Sequence, residues 1–254
     1  MLNNNLLTGK TCLITGASRG IGKAIAVSLA EHGARIIAHY KSNKKAASLL
    51  LEQLTQNDHK LIQADLGKLE DVIRLPEELK DERIDVLINN AGIYIEKPVF
   101  DMDFEEWLTV WDQTIALNLS GPAHLSYLIA GKMINQGGGR IINISSRGAF
   151  RGEPDALAYG AGKAGLNAFG QSLGKALAPK NVLVFTIAPG FVETDMARYA
   201  LEGPRGDEIR AQSPLNRAAQ PEEIANLVTY LASEAPVYMT TSIIDVNGAS
   251  YLRS

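Results

Sequence analysis

Cysteine is nearly absent: Cys12 is the only one in 254 residues, which excludes an intrachain disulfide and a cysteine-built metal cage. No apolar run approaches the roughly 20 residues needed to span a bilayer. An excess of basic charge is missing too. Lys+Arg total 25 against 28 Asp+Glu, a formal net charge of -3, so nothing electrostatic points to nucleic acid or an anionic membrane as partner. The histidines His32, His39, His59 and His124 do not pair with carboxylates at metal-ligand spacing, and no metal is expected. No Gly-x-Ser-x-Gly elbow supports a serine hydrolase. Low-complexity linkers and repeats of roughly 20–50 residues are lacking. Met1–Lys10 is polar, without the apolar core of a secretory signal, so the expected location is the cytoplasm.

What is present is an ordinary globular composition, 46% hydrophobic and 21% charged. Short runs rich in β-branched residues alternate with amphipathic stretches. The spacing predicts strands at Thr11–Thr15, Arg35–Tyr40, Lys60–Ala64, Asp85–Asn89, Arg140–Ile144, Val182–Ala188 and Ser242–Val246. Continuous apolar runs such as Val86-Leu87-Ile88 suit strands covered on both faces. The expected fold is therefore one α/β domain over 1–254, a doubly wound sheet of seven mainly parallel strands with helices on both faces. The stretch 191–217 breaks the rhythm after the sixth strand. A strand's carboxyl end is where such sheets bind ligands, so a substrate lid is expected there.

The first strand runs into Gly16-Ala17-Ser18-Arg19-Gly20-Ile21-Gly22 and then an amphipathic helix. Glycines permit a tight turn and close backbone approach. A helix N-terminus offers free N–H groups and partial positive charge to a pyrophosphate. Dinucleotide folds that take NAD carry an acid about 20 residues further on, for the ribose 2′-hydroxyl. Here that count reaches Tyr40-Lys41-Ser42, and no acidic residue lies between Arg35 and Leu51. Arg19 and Lys41 would pair with a 2′-phosphate, so NADP(H) is expected over NAD(H). The competing reading makes Lys41, Lys44 and Lys45 a solvated helix start.

Tyr159 and Lys163 are four apart and share one helical face. A nearby ammonium is expected to lower the phenol's pKa and make it a usable proton donor or acceptor. Ser146, thirteen residues upstream at a strand end, offers a hydroxyl to a substrate oxygen, with Ser145 competing.

The glycine turn, Asn89-Asn90-Ala91-Gly92, Asn118, Ser146, Tyr159-x3-Lys163 and Pro189-Gly190, in that order, resemble the short-chain dehydrogenase/reductase family from about Lys10 to Gly248. The resemblance implies a Rossmann-like fold and selects Ser146 over Ser145. It implies that Asn118, expected within a long helix, holds a water linking the lysine to solvent. It further implies that Asn90, Ala91 and Gly92 border the adenosine ribose and that Asp65, with Leu66, contacts adenine. Capping a helix near Lys68 is an equal alternative for Asp65. Pro189, Gly190, Val192 and Thr194 would face the nicotinamide. Phe191, Met196, Tyr199, Leu201 and Ile209 are candidates for an apolar lid, and Tyr94, Ile95 and Phe150 for the same cleft. Arg147 and Arg151 are candidates to meet an acidic carrier.

The helix from Tyr159 contains Gly160, Gly162, Gly165, Gly170 and Gly174, each costing about 1 kcal/mol against alanine. A close second backbone would account for them. The resemblance makes this helix part of a homodimer interface, commonly within a tetramer; packing on the chain's own sheet or cofactor is the alternative. The expected function is NADPH-dependent reduction of a ketone, with a 3-oxoacyl thioester, free or carrier-bound, as the first substrate class. The motifs Ser213-Pro-Leu-x-Arg217 and Gly190-to-Met196 resemble those reductases. Sugar, steroid and small-ketone dehydrogenases carry similar motifs. Two readings of other classes are a non-catalytic dinucleotide-binding regulator and a methyltransferase. Ketone turnover excludes the first, and the second leaves Tyr159-x3-Lys163 unexplained.

Overall fold

The computed structural model describes residues 5–55 and 58–253. Met1–Asn4, part of the polar stretch read above, lies outside the described residues. Seven strands form one sheet: β1 (Thr11–Ile14), β2 (Arg35–Tyr40), β3 (Lys60–Gln63), β4 (Val86–Asn89), β5 (Gly139–Ile144), β6 (Val182–Pro189) and β7 (Ile243–Val246). Their order is β3-β2-β1-β4-β5-β6-β7, and every pair is parallel, not merely most of them. Because strand side chains alternate, each strand feeds two cores. Cys12 and Ile14 join one face and Leu13 the other; Val86 and Ile88 likewise oppose Leu87.

The first face is covered by α1 (Gly20–Glu31) and α10 (Pro221–Ser233), joined by a Ser28–Thr229 hydroxyl hydrogen bond of 2.8 Å. Gln220 and Glu223 cap α10 reciprocally, with Pro221 in its first turn. The second face is covered by α3 (Leu69–Glu78), α5 (Gly121–Asn135) and α7 (Leu157–Leu177). The remaining helices are α2 (Lys44–Gln53), α4 (Phe104–Ile115), α6 (Gly148–Arg151), α8 (Asp195–Glu202) and α9 (Gly206–Ala211). Strand order reverses direction between β1 and β4, so their carboxyl ends flank the crevice where such sheets bind ligands.

Three expectations change. Asn118 sits in a π-helical turn, Ala116–Ser120, that divides α4 from α5, rather than inside one regular helix. The glycines of α7 are accounted for within the chain: a Cβ at Gly170 would meet Asn143 and Thr186 of the sheet, at Gly174 Thr241 and Val184, at Gly165 Leu119. They let α7 lie on its own sheet and on the π turn, so they carry no weight for a second subunit. Asp65 does not cap α3. Its Oδ1 accepts from Gly67 N, and α3 begins after Lys68.

Candidate active site

The glycine turn joins β1 to α1. Gly16 and Gly20 have φ of +64° and +53°, where a side chain is strained, and a Cβ on Gly22 would come 2.3 Å from the Gly16 carbonyl. Asn90 is not turned toward a ligand. Its side-chain Nδ2 donates to the carbonyls of Thr15 (2.9 Å) and Gly16 (3.1 Å). The backbone N–H groups of Asn90 and Ala91 donate to Thr15 Oγ1, which itself donates to Ile88 O. Thr15 thus locks the turn to the end of β4.

His39, weighed from sequence only as a metal ligand, is the second lock. Gly16 N donates to its Nδ1 (3.1 Å), Nε2 bonds the Ala64 carbonyl (3.0 Å), and its own carbonyl accepts from Ala17 N (2.9 Å). Nδ1 accepts, so Nε2 carries the proton. Burial pushes the imidazole down to about 4, keeping it neutral in this role. Its position one residue before Tyr40, at the end of β2, was the only signal in the sequence.

Beside the turn runs a groove of about 690 Å³ bordered by Arg19, Lys41, Asp65, Gly92, Tyr94 and Met196. Arg19, Lys41 and Lys68 bring three cations to its border, where Asp65 is the one acid, and its length beside the glycine turn fits an extended dinucleotide. A second cleft of about 700 Å³ runs between α1, α8 and α10, lined by charges of both signs and taking in Gly20 and Thr194. Arg19 precedes α1 and has no ion-pair partner among the described residues. Lys41 precedes α2 and pairs with Asp65 at 2.8 Å. Lys44 and Lys45 belong to the first turn of α2, capped by Asn43, so the helix-start reading fits those two. Tyr40 is buried with its hydroxyl 3.4 Å from Gln63, Leu66 and Val192 are core residues, and Ser42 is exposed.

The chemical end of the groove is built by β4, β5, α7 and the π turn. Asn118 is fully buried; its Oδ1 accepts from Ile93 N (2.9 Å) and its Nδ2 donates to Ile93 O (2.8 Å). A Cβ on Gly92 would lie 3.0 Å from Asn118 Oδ1 and 3.5 Å from Lys163 Nζ, so these groups are neighbours. Ser145 spends its hydroxyl on the Lys163 carbonyl (3.3 Å), whereas Ser146 accepts from Gly148 N (3.0 Å) and its hydroxyl acts on the Tyr159 phenol, opposing the rise in its pKa. The two serines are thereby distinguished. Pro189 ends β6, Gly190 just beyond it packs on Asn247, and Thr194, the residue before α8, lies against Gly20.

The electrostatics differ from expectation. Lys163 Nζ donates to the Ile144 carbonyl (2.8 Å) and lies 5.8 Å from the Tyr159 ring centre. It does not lower the phenol. Burial raises Tyr159 above its ordinary value; the Ser146 hydroxyl opposes the rise and Glu153 adds to it. Burial also lowers Lys163 to about 8. Tyr159 is therefore protonated at neutral pH, the state a ketone reduction needs, and Lys163 keeps its charge only below about pH 8. Accordingly, kcat/KM for reduction should hold level through neutral pH and fall as pH rises through about 8, while alcohol oxidation, which needs the phenolate, should rise with pH. A reduction profile level to pH 10 would contradict that assignment of Lys163.

Several lid and cleft candidates separate. Met196, Tyr94 and Ile95 line the groove. Tyr199 is exposed and Leu201 buried. Phe150 faces the C-terminal end, under Arg253 and bonded through its carbonyl to Tyr251. Arg147, expected at the surface, is 3% exposed and cannot meet a carrier.

A family profile described as enoyl-(acyl carrier protein) reductase matches residues 16–249. The chain is 39% identical over 249 residues to the 3-oxoacyl-[acyl-carrier-protein] reductase FabG of Aquifex aeolicus, covering 96% of this chain and 98% of that one. It is 38% identical over 248 residues to FabG of Escherichia coli, with 96% and 98% covered. Among solved structures, the angucycline C-6 ketoreductase LanV with bound NADP superposes with a TM-score of 0.86 at 32% identity, 96% of each chain being covered. A short-chain type dehydrogenase/reductase from Mycobacterium marinum gives 0.88 at 29% identity, with 98% of each covered. Profile, relatives and groove agree, and the chain belongs to the short-chain dehydrogenase/reductase family.

Proposed function

We propose that this chain is an NADPH-dependent reductase that converts a ketone to a secondary alcohol. The observation that carries this reading is the meeting of Ser146, Tyr159 and Lys163 at the strand ends, beside a groove whose lining residues Gly92 and Tyr94 neighbour Lys163 and Tyr159. NADPH, when bound, supplies the hydride. The chain's residues do the rest. Tyr159, held protonated by burial, gives its proton to the carbonyl oxygen. Ser146 donates a hydrogen bond to that oxygen as negative charge develops. Lys163 holds the nicotinamide ribose through its ammonium, and Asn118 beside it supports return of the proton. Gly16, Ser18, Gly20, Ile21 and Gly22 carry the pyrophosphate on the turn and first helical N–H groups. Arg19, Lys41 and Ser42 take the 2′-phosphate, Asp65 the adenine, and the Pro189–Thr194 edge the carboxamide.

The substrate class is a 3-oxoacyl thioester, carried or free. The relatives named above act on such thioesters by name. The test is a panel of ketones, 3-oxoacyl and enoyl thioesters run with NADPH and with NADH. Turnover of the 3-oxoacyl thioester with NADPH supports the reading. Dinucleotide binding without turnover of any ketone favours the regulator instead.

A homo-oligomer, dimer or tetramer, belongs to the same reading, on grounds other than glycine. Phe104 (71% exposed) stacks on Trp107, which stacks on Trp111, and Tyr127 of α5 (76%) and Leu157 of α7 are exposed apolar side chains too. Val237, Tyr238 and Leu252 are exposed as well. Such surfaces mark association. Light scattering after size exclusion should give a multiple of 27.4 kDa; a mass of one chain counts against it. Among the described residues no helix is long and apolar enough to cross a membrane.

A further inference from the structure

Arg147 is a buried cation that the chemistry above does not use. It follows Ser146 directly, is 3% exposed, and has no carboxylate within ion-pair distance among the described residues. A buried charge is costly unless its donors are met, so its surroundings carry information. Its backbone N–H donates to the Pro189 carbonyl at 2.9 Å. Its guanidinium carbon lies 5.0 Å from the centre of the Phe191 ring. Its Nη2 donates to Gln212 Oε1 at 2.5 Å, and Arg151 Nη1 donates to the same oxygen at 3.2 Å. Burial and the neighbouring Arg151 pull Arg147 down to about 10, which leaves it charged at neutral pH.

Phe191 opens the segment that carries α8 and α9, and Gln212 follows α9. One side chain therefore grips both ends of that segment. Between the grips, Thr194 packs against Gly20 of the glycine turn and Met196 lines the groove. We propose that Arg147 is a positioning residue that clasps the 191–212 segment at Phe191 and Gln212, setting how it sits over the groove relative to Ser146. A fork is needed, because one planar group must face a ring and an amide oxygen together. Arg151 reinforces the second grip and is itself paired with Glu153 at 3.3 Å.

The kinetic half of the test rests on the proposed reductase activity; the other half does not. Arg198, Arg205 and Arg210 lie on the clasped segment, the first two well exposed, and report its tethering through trypsin nicking. In Arg147→Met, which keeps bulk and removes the charge, and in Gln212→Leu, nicking should quicken about 10-fold or more, the range for losing a hydrogen bond to a charged group. Gln212→Glu gives two guanidinium groups a carboxylate and should slow nicking, an effect misfolding cannot imitate. KM for the ketone should rise by a similar factor in the Met and Leu variants with kcat little changed. The double variant should fall short of the product of the two single effects, because the Arg147–Gln212 contact is lost in both. Nicking and KM unchanged in both single variants, or effects that multiply in the double variant, overturn the clasp. Absence of ketone turnover in the wild-type protein tells against the reductase reading alone, since nicking still reads the clasp.

Discussion

Tyr159→Phe should lower ketone turnover by about 10²- to 10⁴-fold, the usual contribution of a positioned general acid, while NADPH affinity stays near that of the parent. The substitution deletes one oxygen and keeps the ring, which packs edge-on against Tyr94 at 4.9 Å. Nothing in the fold depends on the hydroxyl. What disappears is the phenol proton, which burial keeps in place at neutral pH. Turnover assays paired with a fluorescence titration of NADPH separate the two effects. Retention of activity within a few-fold would remove Tyr159 from the chemistry.

The second large effect concerns the cofactor. Replacing both Arg19 and Lys41 by Ala should cut kcat/KM with NADPH by about 100-fold or more, each charge-assisted bond being worth about 10- to 100-fold, and leave NADH nearly untouched. Arg19 has no carboxylate partner among the described residues, whereas Lys41 is held by Asp65. Deleting Lys41 also leaves the Asp65 carboxylate uncompensated near the 2′-phosphate position, which adds repulsion to the lost attraction. Parent protein that uses NADH and NADPH equally well would sink the electrostatic basis for the preference.

The strand positions were legible because parallel strands covered on both faces must be apolar throughout, and their glycine and asparagine ends mark where they stop. Gly16, Gly20 and Gly22 stood out because the turn needs positive φ at the first two and leaves no room for a Cβ on the third. Ser146 was separable from Ser145 only through family spacing; the structure adds the reason, that Ser145 is spent on the Lys163 carbonyl. The π turn at Asn118 was hidden, because Ala116–Ser120 has the composition of ordinary helix and the widened turn arises where it packs beside α7. His39 and Arg147 were hidden for a related reason. Their partners Ala64 and Gln212 are distant in sequence, and no local pattern announces them.

Residue order was enough to settle the layout of strands and helices, the phosphate turn and the absence of an acid where an NAD ribose would want one, since those follow from local periodicity and side-chain charge. Folding in three dimensions settled the protonation of Tyr159 and Lys163, the burial of Arg147 and the placing of the α7 glycines. Those depend on how much water the rest of the chain excludes around each group, and desolvation belongs to the packed whole rather than to any stretch of it.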